Sequence, residues 1–330
     1  MISFGIRKAV HLFQTYVVRR IGNDPSPIAF WYIPEPIRIT GSVGFDRYCL
    51  SALPSPHYLI DYTQKLQYPC LDGDGLPVLN YGPPIGRQLN PEAAFQFALG
   101  MHDLELEKKT GSDLSFFLGL CERMLERQDH LGRWPYSFGW YGSPDPWFSA
   151  LAQSRGASVM LRAWLLTHDV RFRDSALRAI SLFGKRTTEG GFLAFHRQSG
   201  AQYFEEYPYS ESAVLNGFIA SLFGLFEVHR WLGDEEAGSH FRMGLSSLEQ
   251  MLPTYTTRLW SLYDHDQSSP MQNPHSPRYH RMVIGYLQIL EILSGNEIIK
   301  QYRLEWEKRD RLANRAVAIT QKLIKKIVHH

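Results

Sequence analysis

From Asn90 onward the chain alternates between segments that are apolar on nearly all sides and segments that are apolar along one stripe. The clearest case is "AVLNGFIASLFGLFEVHRWL", in which Val214, Leu215, Phe218, Ile219, Leu222, Phe223 and Phe226 leave no solvent face at a helical period. Ser212 is placed to cap this helix. After "GD", where Asp234 can cap a second helix, Phe241, Leu245, Leu248 and Met251 recur with polar residues between them. The first helix is expected to be buried and the second to keep one wet face. The same order appears in "PWFSALAQSRGASVMLRAWLLTHD" with "RFRDSALRAISLFGKR", in "YHRMVIGYLQILEIL" with "NEIIKQYRLEWEKRDRLANR", and less cleanly in "PEAAFQFALGMHDLELEKK" with "SDLSFFLGLCERMLERQD". Paired helices with a buried inner and an amphipathic outer member predict a mainly α protein, an (α/α) toroid or an incomplete one, whose inner helices ring a central cleft.

Between the hairpins run segments rich in Gly, Pro and aromatic residues: "GRWPYSFGWYGSPDPW", "EGGFLAFHRQSGAQYFEEYPYSES" and "LPTYTTRLWSLYDHDQSSPMQNPHSPRY". Connections this long inside a compact domain carry function or short strands, and each precedes an inner helix, so all three are expected at one mouth of the toroid. "GGFLAFH" and "AQYFEEY" read as a strand hairpin around "RQSG". Residues 27–88 form a small β-containing approach segment, and 89–330 the helical domain. Residues 1–26 read as an amphipathic helix, with Ile6, Val10, Phe13 and Val17 on one face, and the tail "AITQKLIKKIVHH" has similar character. Both segments suit an acidic membrane surface, and both suit docking on the fold itself.

Composition narrows the function without naming it. With 330 residues, 44% hydrophobic, 21% charged and a formal net charge of +2, the chain is an ordinary globular one and no nucleic-acid partner is indicated. The 13% aromatic share suits both cores and sugar platforms, Trp134, Trp140 and Trp147 being candidates for either. Three cysteines without C-x-x-C spacing suggest buried thiols and not a disulfide framework or a zinc site. No stretch approaches the roughly 20 apolar residues of a membrane span, and the N-terminus is a poor signal peptide, so a cytoplasmic protein, peripheral to the inner face of a membrane at most, is expected. Nucleotide-binding, zinc-protease and nucleophile-elbow motifs are missing, and "DGDG" at 72–75 lacks the later ligands of a calcium loop. No metal and no cofactor is expected.

The mouth instead gathers phenols, carboxylates and imidazoles: Glu205, Glu206, Tyr207, Tyr255, Tyr263, Asp264, His265, Tyr279 and His280. Such a set suits proton transfer. A tyrosinate base near neutral pH needs a cation beside it, and Arg278 and His280 flank Tyr279. Glu205, Glu206, Glu211, Asp264 and Asp266 also supply enough carboxylates for a glycosidase pair, although adjacent Glu205 and Glu206 project to opposite faces of a strand.

The blocks "PWFSALAQSRGASVMLRAWLLT", "EGGFLAF", "FEEYP" with "VLNGFIASLFGL", "GLSSLEQMLPTY", "LYD" and "RYHRMVIGYLQIL" occur in one order over about residues 80–293. Over that length the chain resembles the catalytic C-terminal domain of the D-glucuronyl C5-epimerases, which convert glucuronate to iduronate in heparan sulfate and heparin precursors. The resemblance implies an (α/α) toroid, a glucuronate-containing acidic polysaccharide as substrate, a homodimer, and a reaction that removes the C5 proton and returns one to the opposite face. It places the three family tyrosines at Tyr207, Tyr263 and Tyr279, with Glu206 as their partner and Asn216 in the substrate cleft; Gln153, Arg155 and Trp147 match a neighbouring block. Vertebrate-type members have an arginine three residues after the second tyrosine, where this chain has Asp266. Arg278, His265 or Arg258 is then expected to bind the substrate carboxylate, and His280 to act beside Tyr279. The family's larger N-terminal β-domain and secretory anchor are not expected here, which suits a prokaryote-like member. A uronate lyase, a glycoside hydrolase on the same toroid and a non-catalytic carbohydrate-binding protein are the competing readings.

Overall fold

The computed structural model describes residues 35–38, 55–107, 114–140, 142–265 and 271–328. The expected N-terminal helix, Cys49, Asp266 and much of the approach segment lie outside these residues.

Helical hairpins dominate. Four inner helices, α1 (Pro91–Glu107), α3 (Ala150–Thr167), α5 (Leu215–Leu232) and α7 (Pro277–Ser294), pack one against the next in chain order. Each is backed by its sequence successor: α2 (Ser115–Glu126), α4 (Val170–Ile180), α6 (Glu235–Met251) and α8 (Glu297–Arg309). The arc they draw is the incomplete toroid that the alternating periodicity predicts. In α5 every residue from Leu215 to Val228 is buried, whereas α6 buries Ala237, Phe241, Leu245, Leu248 and Met251 at helical spacing. Each fully buried Leu or Phe of the inner ring contributes about 1.5–3 kcal/mol of transfer free energy.

Small residues let the inner helices approach. Gly224 of α5 leaves no room for a side chain against Ser154 of α3, and its N–H donates to Ser154 Oγ at 3.0 Å. Gly156 of α3 likewise accepts the Trp134 ring against its backbone. Asp234, Ser276 and Asn296 cap α6, α7 and α8, accepting from Ala237, Tyr279 and Ile299 N–H. Ser212 does not cap α5, a departure from the sequence expectation. Its hydroxyl turns to Glu205, and the chain enters the helix through Ala213 at φ 48°.

Among the described residues three two-stranded antiparallel ribbons sit beside the helices. They are β1 (Val78–Asn80) with β2 (Arg87–Leu89), β3 (Leu193–Phe195) with β4 (Gln202–Phe204), and β5 (Leu262–Asp264) with β6 (Asn273–Pro274). The second is the hairpin expected around "RQSG". The approach segment shares the helical core, since Tyr58, Leu59, Ile60 and Tyr62 are fully buried in it. Ser55, His102 and Asp103 form a Ser–His–Asp chain with contacts of 2.6 and 2.9 Å, but all three are buried, so the chain ties the approach segment to α1. A final helix, α9 (Leu312–Val328), packs on β6 and α7, so the C-terminal amphipathic tail docks on the fold. Among the described residues no helix is long and apolar enough to cross a membrane.

Candidate functional site

The segment from β4 to α5 is organised by two adjacent glutamates just past the strand, which take different partners. Glu205 turns inward and is consumed structurally. It accepts from Tyr203 Oη at 2.6 Å, from Ala213 N–H at 2.9 Å, from Ser212 Oγ at 3.3 Å and from Tyr207 N–H at 3.4 Å. Tyr255 Oη donates to the Ala213 carbonyl, so the left-handed residue is fixed on both sides. A non-glycine residue there costs about 1–2 kcal/mol, which these bonds offset.

Glu206 has different surroundings. Its side chain lies on Gly217 in the first turn of α5, is 4% exposed, and its Oε2 has no hydrogen-bond partner. Burial pushes its pKa up to about 8, against the opposing pull of the Tyr207 phenol, so at neutral pH it holds a proton. Burial and then Glu206 push the Tyr207 phenol well above its ordinary value, and Tyr263 adds to this. Tyr207 is thus a neutral phenol. Its ring packs 5.9 Å from both Trp147 and Tyr209.

Tyr263 sits at the register irregularity between Leu262 and Asp264 of β5, where a bulge re-aims the side chain. Tyr279 occupies the first turn of α7, whose start is fixed by the Ser276 cap and Pro277. The two rings meet edge to face with centroids 5.5 Å apart. The structure therefore gathers Tyr207, Tyr263, Tyr279 and Glu206 at one place. Asn216, beside Gly217, is 5% exposed and its Oδ1 lacks a partner. Buried polar oxygens are normally satisfied, so Glu206 Oε2 and Asn216 Oδ1, close together in sequence at the start of α5, stand out among the described residues.

Other expected site residues are placed differently. His280 is buried, stacks on Trp260 with centroids 3.8 Å apart, and uses both ring nitrogens, on Ser261 Oγ at 2.7 Å and the Trp306 carbonyl at 3.1 Å. Burial lowers its pKa to about 4, so it is a neutral core histidine and not a cation beside Tyr279. His265 is held between Gln198 and Thr254, at 3.2 and 3.1 Å, and burial brings its pKa to about 4. It faces a cavity of about 680 Å³ shared with Phe195, His196, Tyr209 and Glu211 and is no neutral-pH cation for a carboxylate. Gln153 binds the Gly132 carbonyl and accepts from Trp134 N–H, pinning a loop. Arg155, 1% exposed, is paired with Glu92, reaches Tyr286 Oη at 3.2 Å and lies over the Tyr62 ring, and its charge acts on Glu206. Trp147 is stacked on Tyr136 at 3.8 Å, so it is a wall for Tyr207 and not an open platform. Arg258 lines a surface pocket with Lys308, Arg309 and Arg311. Arg278 opens α7 next to Tyr279, and its charge reaches the buried Lys65.

Sequence reasoning missed a buried polar floor. Lys65 binds Glu35 and Gln96, Tyr286 donates to Glu35, and Glu92 and Arg155 both act on the charge of Glu206. Of these residues the sequence singles out Arg155 alone, by its block; no local pattern distinguishes Glu35, Lys65, Glu92, Gln96 or Tyr286. Among the described residues, no cluster of three His, Cys, Asp or Glu is arranged to hold a metal.

Comparison with known proteins adds to this geometry. Over 178 residues the chain is 31% identical to a D-glucuronyl C5-epimerase of Caenorhabditis elegans, covering 49% of this chain and 29% of that protein. It is 29% identical to an uncharacterised protein of Methanocaldococcus jannaschii, covering 53% of this chain and 56% of that one. The chain thus spans less than two thirds of either relative. Among solved structures, an unsaturated glucuronyl hydrolase from Bacillus sp. GL1 aligns with a TM-score of 0.45 and 14% identity over 69% of this chain and 61% of that one. The family model of the D-glucuronyl C5-epimerase C-terminus matches residues 128–308, more than half of the chain, and on that match this chain belongs to the D-glucuronyl C5-epimerase C-terminal family.

Proposed function

We propose that the chain is a uronyl C5-epimerase that converts D-glucuronate to L-iduronate residues within an acidic polysaccharide of heparosan type. The observation that carries the reading is a run of neighbouring phenols that ends on a buried, protonated glutamate: Tyr279 meets Tyr263 edge to face, Tyr263 acts on Tyr207, and Tyr207 is hydrogen-bonded to Glu206. In this reaction the C5–H bond breaks, its electron pair delocalises into the adjacent carboxylate as an enolate, and a proton returns to C5 from the other face, with no net change in protons. A base and an acid must therefore flank the sugar.

The environments of the phenols support a division of labour. Tyr207 is a neutral phenol beside a Glu206 that holds a proton at pH 7, so this side is loaded to donate, with Glu206 resupplying Tyr207. Tyr279 is the opposed proton acceptor, and Tyr263, edge-on to it, shares the charge that develops. In the reverse direction the roles exchange. Asn216 orients a sugar hydroxyl, and Arg278, in the same helical turn as Tyr279, faces the uronate carboxylate. Burial of Glu206 and Asn216 keeps water from competing for these groups.

The test is incubation with N-deacetylated, N-sulfated heparosan in heavy water, followed by NMR of the uronate. Deuterium at C5 with iduronate signals and no chain cleavage supports the reading. An unsaturated uronate absorbing in the ultraviolet would show a lyase instead, and new reducing ends without unsaturation would show a hydrolase. Exchange with a different uronate polymer alone would move the substrate and leave the chemistry.

A further inference from the structure

Helix α9 begins after residue 308, beyond the family-matched span, yet it reaches the site. It packs on β6 and places Lys322 Nζ 5.0 Å from the centroid of the Tyr263 ring. The ammonium is held there by donation to Asn273 Oδ1 and to the Pro274 carbonyl, each at 3.0 Å. Asn273 Nδ2 in turn donates to Asp264 Oδ2 at 2.7 Å, and Lys325, one turn along α9, stands 4.0 Å from Asp264 Oδ1. On a solvated helix face a lysine would extend into water. Here it is laid across a ring that belongs to the phenol cluster.

The charged and titratable groups facing Tyr263 come from several elements. Among the described residues, Asp264 lies on its own strand with Lys325 of α9 beside it, His275 on the segment leading into α7 with its ring 5.7 Å away, Tyr279 on α7, Tyr207 on the loop before α5, and Lys322 on α9. Asp264 is taken up by Asn273 and Lys325. His275 shares Ser261 Oγ with His280 and is driven neutral by burial. Among the described residues Lys322 is the cation placed over the ring, and a cation over a phenol is attracted more strongly as the ring gains negative charge.

We propose that Lys322, supplied by a helix outside the family-matched region, is a positioning residue that stabilises the negative charge carried by Tyr263 during proton transfer. The proposal rests on the epimerase reading for its role in turnover, and on geometry alone for its effect on the phenol. It also gives the docked C-terminal helix a part in the reaction that an inert tail would not have.

Two variants and two readouts test it. Lys322→Arg keeps the charge, whereas Lys322→Gln keeps an N–H donor for the Pro274 carbonyl and loses the charge. In C5 deuterium exchange, K322Q is expected to lower kcat about 10- to 100-fold with KM changed less than about threefold, and K322R to retain most of the rate. Equal losses in both, tracking a loss of thermal stability, would mean that Lys322 only tethers β6 and would overturn the proposal, as would an unchanged kcat in K322Q. The second readout does not need turnover: phenolate absorbance is titrated as the difference between the parent protein and its Tyr263→Phe variant, with and without K322Q. The Tyr263 midpoint is expected to move to higher pH in K322Q, and an unmoved midpoint overturns the proposal. If the wild-type chain exchanges C5 hydrogen on no uronate polymer, the epimerase reading falls and the absorbance titration still decides whether Lys322 acts on Tyr263.

Discussion

The Glu206 carboxyl group rests on Gly217 so closely that a methyl group at residue 217 would overlap its Oε2, Cδ and Cβ atoms. This contact sets the position of the proton-carrying glutamate against the first turn of α5. In an ordinary helix, alanine at this place would be favoured over glycine by about 1 kcal/mol. Here the overlap wins, and overpacking of this kind costs about 1–3 kcal/mol. Gly217→Ala is therefore expected to lower the thermal unfolding midpoint by several degrees and to reduce C5 exchange more than about tenfold, because Glu206 is displaced from Tyr207. Calorimetry together with the deuterium assay checks both; a more stable, fully active variant would contradict the contact.

Glu206→Gln tests the protonation state. The native carboxyl group titrates near 8 and an unfolded one near 4.5, so between these values the folded chain holds a proton that the unfolded chain has released. Stability contributed by this group is therefore lost as pH rises through that window, by at most about 1.4 kcal/mol per pH unit. The glutamine variant has no such proton. Its stability relative to wild type should rise steadily from about pH 5 to pH 8 and be level below, measured by urea denaturation at each pH. A constant difference across the range would show that Glu206 is already ionised in the folded chain.

How much of this was legible beforehand depends on the kind of signal. The buried character of α5 and the one-sided character of α6 follow from the spacing of Phe218, Leu222 and Phe226 against that of Phe241, Leu245 and Leu248, because periodicity reports burial directly. Tyr207, Tyr263 and Tyr279 stand out in the sequence through their motifs, and the structure places them near one another. His280 and Gln153 were misplaced because the same residue types serve cores and sites, and only their partners, Trp306 and Gly132, tell the uses apart. Ser212 reads as a cap by type, but Glu205 captures its hydroxyl two residues before the turn. Lys322 carried no signal at all, since an amphipathic tail does not say which surface it will meet.

Under the proposed epimerase reaction the three tyrosines are expected to separate by role. Tyr207→Phe keeps the ring against Trp147 and removes only the hydroxyl group, so the fold is expected to hold while C5 exchange falls at least about 100-fold. Tyr279→Phe should behave likewise. Tyr263→Phe, which removes a charge-sharing hydroxyl, is expected to retain more exchange than either. Normal exchange in both Tyr207→Phe and Tyr279→Phe would sink the assignment of the phenols.

A buried ion pair between α3 and α5 makes a stability prediction separate from the chemistry. Arg162 of α3 and Glu227 of α5 are fully buried and bonded twice, Nη1 to Oε2 at 3.0 Å and Nη2 to Oε1 at 2.7 Å, with the Arg162 guanidinium over the Tyr58 ring and its Nη2 also donating to the His57 carbonyl. The pair thus joins two inner helices to the approach segment. Removing one partner strands a buried charge, so Glu227→Gln is expected to cost about 3–5 kcal/mol. Replacing both, as in Arg162→Met with Glu227→Leu, should cost much less, because neither charge is then left in the apolar interior. Denaturant unfolding of the two singles and the double measures the coupling, and a single-variant loss below about 1 kcal/mol would mean that water or another group reaches the pair on relaxation.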